Sequence, residues 1–424
     1  MGLIRNFSGL STTTERKIVL DLIEAALSSI QPSNVLQISF KLDKNILKIN
    51  DKELNLLEYK RIFLVAFGKG SAGIAKIIED SLGQKLTKGF CIDTKEENFD
   101  KIDFTLGTHP LPSRENIQFT QKVLENLKNL TQQDLVLVVI CGGGSVMFEL
   151  PFKITLEKLI EVNQTLLKNG ATIFETNTIR KHLSRVKGGG LAKELLPAKL
   201  VSLIFSDVAG NDLSTIASGT TVEDPTTVED ALQIVEKYQM KDLLSENDFI
   251  ESPKDKDIFR NVDNILMLSN LTALNAMRDR ANSLGIEVQI LTNKFQSEAK
   301  KAAKSLIGKT KKGNILLAGG ETTVKVNNLK GDGGRNQEVA LSSLFELDEN
   351  TTLAAFDSDG WDNSEVAGAI VDYNSYLRAK ELGLSPEKFL NENNSLVFFK
   401  HLGDAIITGR LPSNVSDLYI VYKK

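Results

Sequence analysis

Apolar residues first recur at helical spacing, at Ile18, Leu22, Ala26 and Ile30, behind a capping-box pattern of Thr12 and Glu15 and ahead of Pro32. From residue 61 the pattern changes. Continuous apolar runs (RIFLVAFG, GFCID, DLVLVVICGGGS, KLVSLIFSD) alternate with helical segments that begin near residue 72 and cover about 114–130, 156–169 and 178–196. A strand apolar on both faces has to be covered on both, so the alternation predicts a parallel sheet between helix layers. The stretch 243–263 is polar and charged and marks the expected domain connection. Beyond it come ILMLSN, a helix to residue 284, IEVQILTN, a lysine-rich helix, NILLAGG, LAAFDSDG, HLGDAIITG and LYIVY. Residues 322–326 alternate as a half-buried strand should, and helix is predicted from Glu338 onward. Two α/β domains, 1–245 and 265–424, is the economical reading.

At 424 residues the chain suits two or three domains, and 41% hydrophobic with 25% charged residues is the composition of a soluble globular protein. A net charge of −4 offers nucleic acid no general attraction, so an anionic ligand has to be drawn by a local cluster of positive charge. Cys91 and Cys141 follow apolar runs and are expected to be buried thiols, not a disulfide or a metal pair. No run has signal-peptide form or membrane-spanning length, and Asn6 stands where N-myristoylation needs Ser or Thr. The expectation is a cytoplasmic protein acting on small molecules, with neither nucleic acid nor membrane as partner.

Candidate chemistry gathers in glycine-rich turns. FGKGSAG fits G-x-G-x-x-G, and Asp93 lies about where a ribose-binding acid would, which by itself supports a dinucleotide-dependent dehydrogenase. Any doubly wound sheet uses such a turn, however, and Lys69 within it is a point charge better suited to a mobile phosphate. In CGGGS, Gly142, Gly143, Gly144 and Ser145 can present successive N–H groups and a hydroxyl to an anion. TNTIRKHLSRVKGGGLA brings Arg180, Lys181, Arg185 and Lys187 together; a solvated helix face and an anion site fit it equally well. The adjoining glycines, Gly189 among them, let a backbone come close to a ligand. In LAGGETTVKVNNLKGDGGRNQEVAL, Arg335 follows a glycine-rich turn at a helix N-terminus, where free N–H groups favour an anion.

Carboxylates close several strands: Asp207 and Asp212 in FSDVAGND, Asp357, Asp359 and Asp362 in FDSDGWDN, and Glu321 after a glycine pair. Such groups suit a Mg²⁺ that keeps several waters, or a base that takes a hydroxyl proton. Anion nests, a loop lysine, an arginine at a helix mouth and strand-end acids are the set that phosphoryl transfer needs. A reductase instead usually wants a histidine proton donor. The chain has three histidines, His109, His182 and His401; His109 in THPLP could serve that role, but a turn histidine held by its prolines is the favoured reading.

Taken together the motifs resemble the class II glycerate kinases, the glycerate 2-kinase or MOFRL family. The matching stretches are GKGSAG, GTHPLPS, CGGGS, NTIRKHLSRVKGGGLA, SDVAGNDLSTIASGTTVEDPTT, GGETTV, GDGGRNQE, SDGWD, and GDAIITG with NVSDL, in the family's order from Gly68 to Leu418. The resemblance implies ATP-dependent phosphorylation of D-glycerate at its 2-hydroxyl, with Mg²⁺, giving 2-phosphoglycerate and ADP. It implies a Rossmann-like, doubly wound N-terminal domain, a smaller C-terminal α/β domain and an active site in the cleft between them. The family's loop lysine falls on Lys69 and its GGRNQ arginine on Arg335. Cys141, Asn211 and Thr220 depart from the family's serine, aspartate and proline, and RLPSNV replaces PTGTNV. The Asn211 change moves the metal expectation to Asp207. Some relatives are named hydroxypyruvate reductases, so an NAD(P)H-dependent hydroxypyruvate reductase is the alternative. The expected catalytic residues are thus Lys69, Arg335 and Asp359. Gly142, Gly143, Gly144, Ser145, Arg180, Lys187, Gly189 and Asn336 are expected to hold substrate or phosphate, and Asp207 and Glu321 the metal. Oligomeric state stays open, a homodimer being one form.

Overall fold

A computed structural model describes residues 2–207, 210 and 212–424. The chain divides into two compact units, Val35–Met267 and Met1–Asn34 with Leu268–Lys424. This differs from the expected 1–245 and 265–424 at the N-terminus and at the connection. The first long helix, Thr14–Ser29, is capped by Thr13, one residue beyond the expected Thr12. Its Arg16 is buried and donates to the Ile370 carbonyl at 3.0 Å and to Asp404 at 2.8 Å, which ties the helix to the later unit. The polar stretch 243–263 lies inside the Val35–Met267 unit. Phe249 and Ile258 are buried there, Ile250 N–H donates to the His182 carbonyl at 2.8 Å, and Lys254 donates to the Asp224 carbonyl at 2.7 Å. Polarity marked an exposed covering layer, not a boundary.

The Val35–Met267 unit opens with a small antiparallel sheet, β1 (Phe40–Asp43), β2 (Ile46–Ile49) and β3 (Lys52–Asn55). Then come β4 (Arg61–Phe67), β5 (Lys88–Asp93), β6 (Ile102–Leu106), β7 (Asp134–Ile140), β8 (Lys199–Phe205) and β9 (Val262–Leu268), ordered β6-β5-β4-β7-β8-β9. β4 to β8 pair in parallel. Counted from its own first strand, this is the doubly wound order in which the chain reverses direction across the sheet between β4 and β7. Every residue of β7 is buried, as its unbroken apolar run requires, and each fully buried Leu, Ile or Val there contributes about 1.5–3 kcal/mol.

The second unit holds a mixed sheet of β10 (Glu287–Phe295), β11 (Asn314–Gly320), β12 (Thr351–Asp357), β13 (Gly368–Asp372), β14 (Ala405–Ile406) and β15 (Asp417–Lys423). Its order is β10-β11-β15-β12-β13-β14; only β10 and β11 run parallel. Residues 322–326 form no strand, only an isolated bridge from Thr323 to Glu298, and Val326 is exposed where the expected alternation would bury it. β15, from the end of the chain, takes the place beside β11.

Candidate active site

β4 and β7 lie side by side where the strand order reverses, and each runs into a glycine turn. Ligands of open α/β sheets bind at this point. Gly70 and Gly143 have φ of 84° and 77°, a region a Cβ disfavours, and each is followed at once by helix, Ser71–Leu82 and Gly144–Met147. The turns are joined: Lys69 N–H donates to the Gly142 carbonyl at 2.8 Å. The Lys69 side chain is exposed and lies with the His109 ring against Gly143. Burial, and then the Lys69 charge, hold His109 below the usual imidazole range. Asp207, two residues beyond β8, sets its carboxylate against Gly142, leaving no room there for a Cβ.

Asp93, the acid of the dinucleotide reading, is 2% exposed. It accepts the Ala72 N–H at 3.0 Å and the Thr94 N–H at 2.6 Å, so it caps the helix after the first glycine turn. A ribose-binding acid has to face its ligand, and this one faces the protein.

The expected helix over 178–196 is two, Ile173–Leu183 and Gly190–Glu194. Between them Gly188 and Gly189 N–H groups bond the Ser218 and Gly219 carbonyls at 3.0 and 2.8 Å. These bonds hold a turn in which Ala217 and Ser218 take φ of 48° and 55°, uncommon for residues with a side chain. The Ser145 and Ser218 hydroxyls are 3.0 Å apart, and Ser218 donates to Asn177 Oδ1 at 2.9 Å. Arg180 is half-buried, its Nε donating to Asn163 Oδ1 at 2.6 Å. Lys187 is wholly buried, 2.8 Å from Glu149 and donating to the Phe148 carbonyl at 3.0 Å. Lys181 pairs with Asp224 at 3.0 Å, and Arg185 with Glu194 at 2.7 Å.

In the second unit Arg335 opens the helix Arg335–Ser343. Its guanidinium meets Asp417 at 2.6 and 3.1 Å and Glu321 at 2.5 Å, with Asp357 at 3.6 Å. Asn336 is buried and donates to Asp362 at 3.1 Å and Asp417 at 2.8 Å. Asp362 also accepts the Asn336 and Gln337 N–H groups at 3.1 and 2.8 Å, so the helix N-terminus already carries its anion. Burial, then Asp417, push Asp362 up to about 6. Burial with Asp417 and Asp359 nearby raises Asp357 well above the carboxylate range. Asp359 is half-buried and accepts from Trp361 N–H at 2.9 Å and Asn414 at 3.3 Å. A cleft of about 630 Å³, ample for a small ligand, opens beside these groups between Val326, Leu329, Gly334, Arg335, Glu338 and Trp361.

Comparison with known proteins agrees with this architecture. A model described as a domain of unknown function (DUF4147) matches residues 18–248, and the MOFRL family model matches 314–417. The glycerate 2-kinase of Pyrococcus horikoshii is 35% identical over 433 residues, covering 96% of each chain. The chain belongs to the glycerate 2-kinase family. A crystal structure of glycerate kinase from Thermotoga maritima superposes with a TM-score of 0.87 at 33% identity, over 96% of this chain and 99% of that one. A relative from Agrobacterium vitis that carries a hydroxypyruvate reductase name is 35% identical over 381 residues, 84% of this chain and 86% of its own.

Of the residues expected from the glycerate 2-kinase motifs, Lys69, Gly142, Gly143, Gly144, Ser145 and Asp207 converge on one edge of the parallel sheet. Arg335, Glu321 and Asn336 converge in the other unit around Asp417 and Asp362, with Asp359 beside Asp357. Three expected ligands turn inward. Lys187 is locked to Glu149, and Asn336 is buried in its carboxylate network. The close approach at Gly189 is to Phe259 and the Val222 carbonyl, not to a ligand. Asp207 and Glu321, the expected metal ligands, belong to different units. Among the described residues no group of three or more His, Cys, Asp or Glu is arranged to hold a metal, and Asn211 lies outside those residues. Sequence reasoning missed Glu149 and Asp417. Asp417 sits in the matched NVSDL stretch, but no local pattern names Arg335 as its partner.

Proposed function

We propose that this chain transfers the γ-phosphoryl group of ATP to the 2-hydroxyl of D-glycerate, giving 2-phosphoglycerate and ADP. The bond from phosphorus to the substrate oxygen forms as the bond to the β–γ bridging oxygen breaks, and the hydroxyl proton passes to a carboxylate, a role we assign to Asp359. The reading rests on the joined glycine turns where the strand order reverses, which hold an exposed lysine among backbone N–H groups while the competing Asp93 caps a helix. Such a reaction is catalysed by positioning and by neutralising charge, with no covalent nucleophile. Lys69 neutralises the transferring group, Arg335 is the second cation, and Gly142 to Ser145 offer N–H and hydroxyl donors. Mg²⁺ needs only one or two protein carboxylates when it enters on phosphates, and Asp207 and Glu321 are the acids assigned to it. The reaction belongs to the cytoplasm and its partners are small molecules.

The test is direct. Pure protein with D-glycerate, ATP and Mg²⁺ should release ADP and 2-phosphoglycerate, and hydroxypyruvate should leave NADH and NADPH unoxidised. Nicotinamide turnover at enzymatic rates without ADP release would overturn the assignment.

A further inference from the structure

Asn177 and Arg180 stand three residues apart on the helix Ile173–Leu183 and therefore share a face, about one turn apart. Both are oriented by the protein and left with donors to offer. Asn177 is 4% exposed; its Oδ1 takes the Ser218 hydroxyl at 2.9 Å, while its Nδ2 is buried and has no acceptor among the described residues. Arg180 is anchored through Nε to Asn163 at 2.6 Å. Among the described residues its two terminal nitrogens have neither a hydrogen bond nor an ion pair. The charges around them do not balance: Arg180 lies near enough to help depress Lys187, and the acid acting on both is Glu149, already paired with Lys187 at 2.8 Å. Two cations against one carboxylate leave the half-buried Arg180 without an ion pair among the described residues, and a partly desolvated charge without a partner and an unmade buried hydrogen bond are both costly. One oxygen of Glu149 is likewise buried and has no donor among the described residues.

We infer that Asn177 and Arg180 form the subsite for the substrate's carboxylate. A carboxylate accepts two parallel N–H bonds from a guanidinium and a further one from an amide, and it supplies the missing negative charge. The idle Glu149 oxygen is an acceptor for a hydroxyl on the same ligand, so the cluster selects small hydroxycarboxylates. This rests on the proposed phosphorylation of glycerate and names the residues that choose its acceptor.

The experiment compares wild type, Arg180→Lys and Asn177→Asp, first in steady-state kinetics and then by calorimetric binding of D-glycerate without nucleotide. Each variant should raise the KM for D-glycerate by roughly tenfold or more while the KM for ATP stays within about twofold, because the two-point contact or the amide donor is lost. Lactate, which keeps the carboxylate, should compete with glycerate in the wild type, and glycerol should not. A glycerate KM that is unchanged in both variants, or glycerol competing as well as lactate, would overturn the inference. Should Arg180→Lys not fold, Asn177→Asp carries the test alone. A wild type that fails to phosphorylate glycerate defeats the proposed function. Calorimetry still decides the subsite, through hydroxycarboxylate binding that is present in wild type and lost in the variants.

Discussion

Lys69 and Arg335, the two cations that stand out in the sequence, occupy opposite electrostatic settings. Arg335 is saturated: Asp417 grips it at two points, Glu321 at a third, and Asp357 stands near. Lys69 is exposed on a glycine turn, and among the described residues its ammonium makes no ion pair. One cation is part of its unit's internal architecture as well as a candidate for chemistry. The other is held by its backbone alone, with its charge left for a ligand. Loss of function should therefore mean different things at the two positions.

The largest effect is expected at Arg335. Removing it strands Asp417, which is fully buried, and breaking a buried pair by deleting one partner costs about 3–5 kcal/mol. Arg335→Ala should lower both the unfolding free energy by that order, read by urea denaturation, and kcat by about 10²-fold or more. A variant of normal stability would show that solvent or a neighbour readily replaces the guanidinium, and the contrast with Lys69 would disappear. Lys69→Ala should lower kcat by a similar factor, on the order of 10², while stability stays within about 0.5 kcal/mol, as for a surface change. Normal kcat with a raised KM for ATP would make Lys69 a ground-state binder.

The smallest effect concerns pH. Burial and the Lys69 charge set the His109 pKa below its ordinary value of 6.5. Between the folded and unfolded values the unfolded chain binds more protons, so stability rises with pH across that window. The contribution is present above about 6.5 and is lost as pH falls through the folded value. His109→Gln should flatten the rise of Tm between roughly pH 5 and 7. An unaltered slope would mean that the ring protonates as freely in the fold as outside it.

Much of the architecture was legible. Unbroken apolar runs mark strands buried on both faces, and β4, β5, β7 and β8 all appear where those runs lie. The glycine turns fall at their ends because a chain reversing between strand and helix needs backbone freedom there. Errors arose where a local pattern had a distant cause. Residues 322–326 alternate in sequence without being a strand; β15, far along the chain, holds the position beside β11. The N-terminal helix joins the later unit through its buried apolar face and through Arg16, whose partners Asp372 and Asp404 lie more than 350 residues away in the chain.

The sequence by itself determined the alternation of strands and helices, the places where the backbone could turn, and which residues carry charge near those turns. These follow from periodicity and from the steric demands of single residues, both local properties. Only the tertiary structure decided what each charge is for. Lys69, Arg180, Lys187 and Arg335 read alike along the chain, yet Lys187 is neutralised by Glu149 and Arg335 by Asp417, 82 residues on, while Lys69 and the end of Arg180 have no ion pair among the described residues. A charge takes its role from the dielectric and the counter-charges around it, and those are assembled by packing.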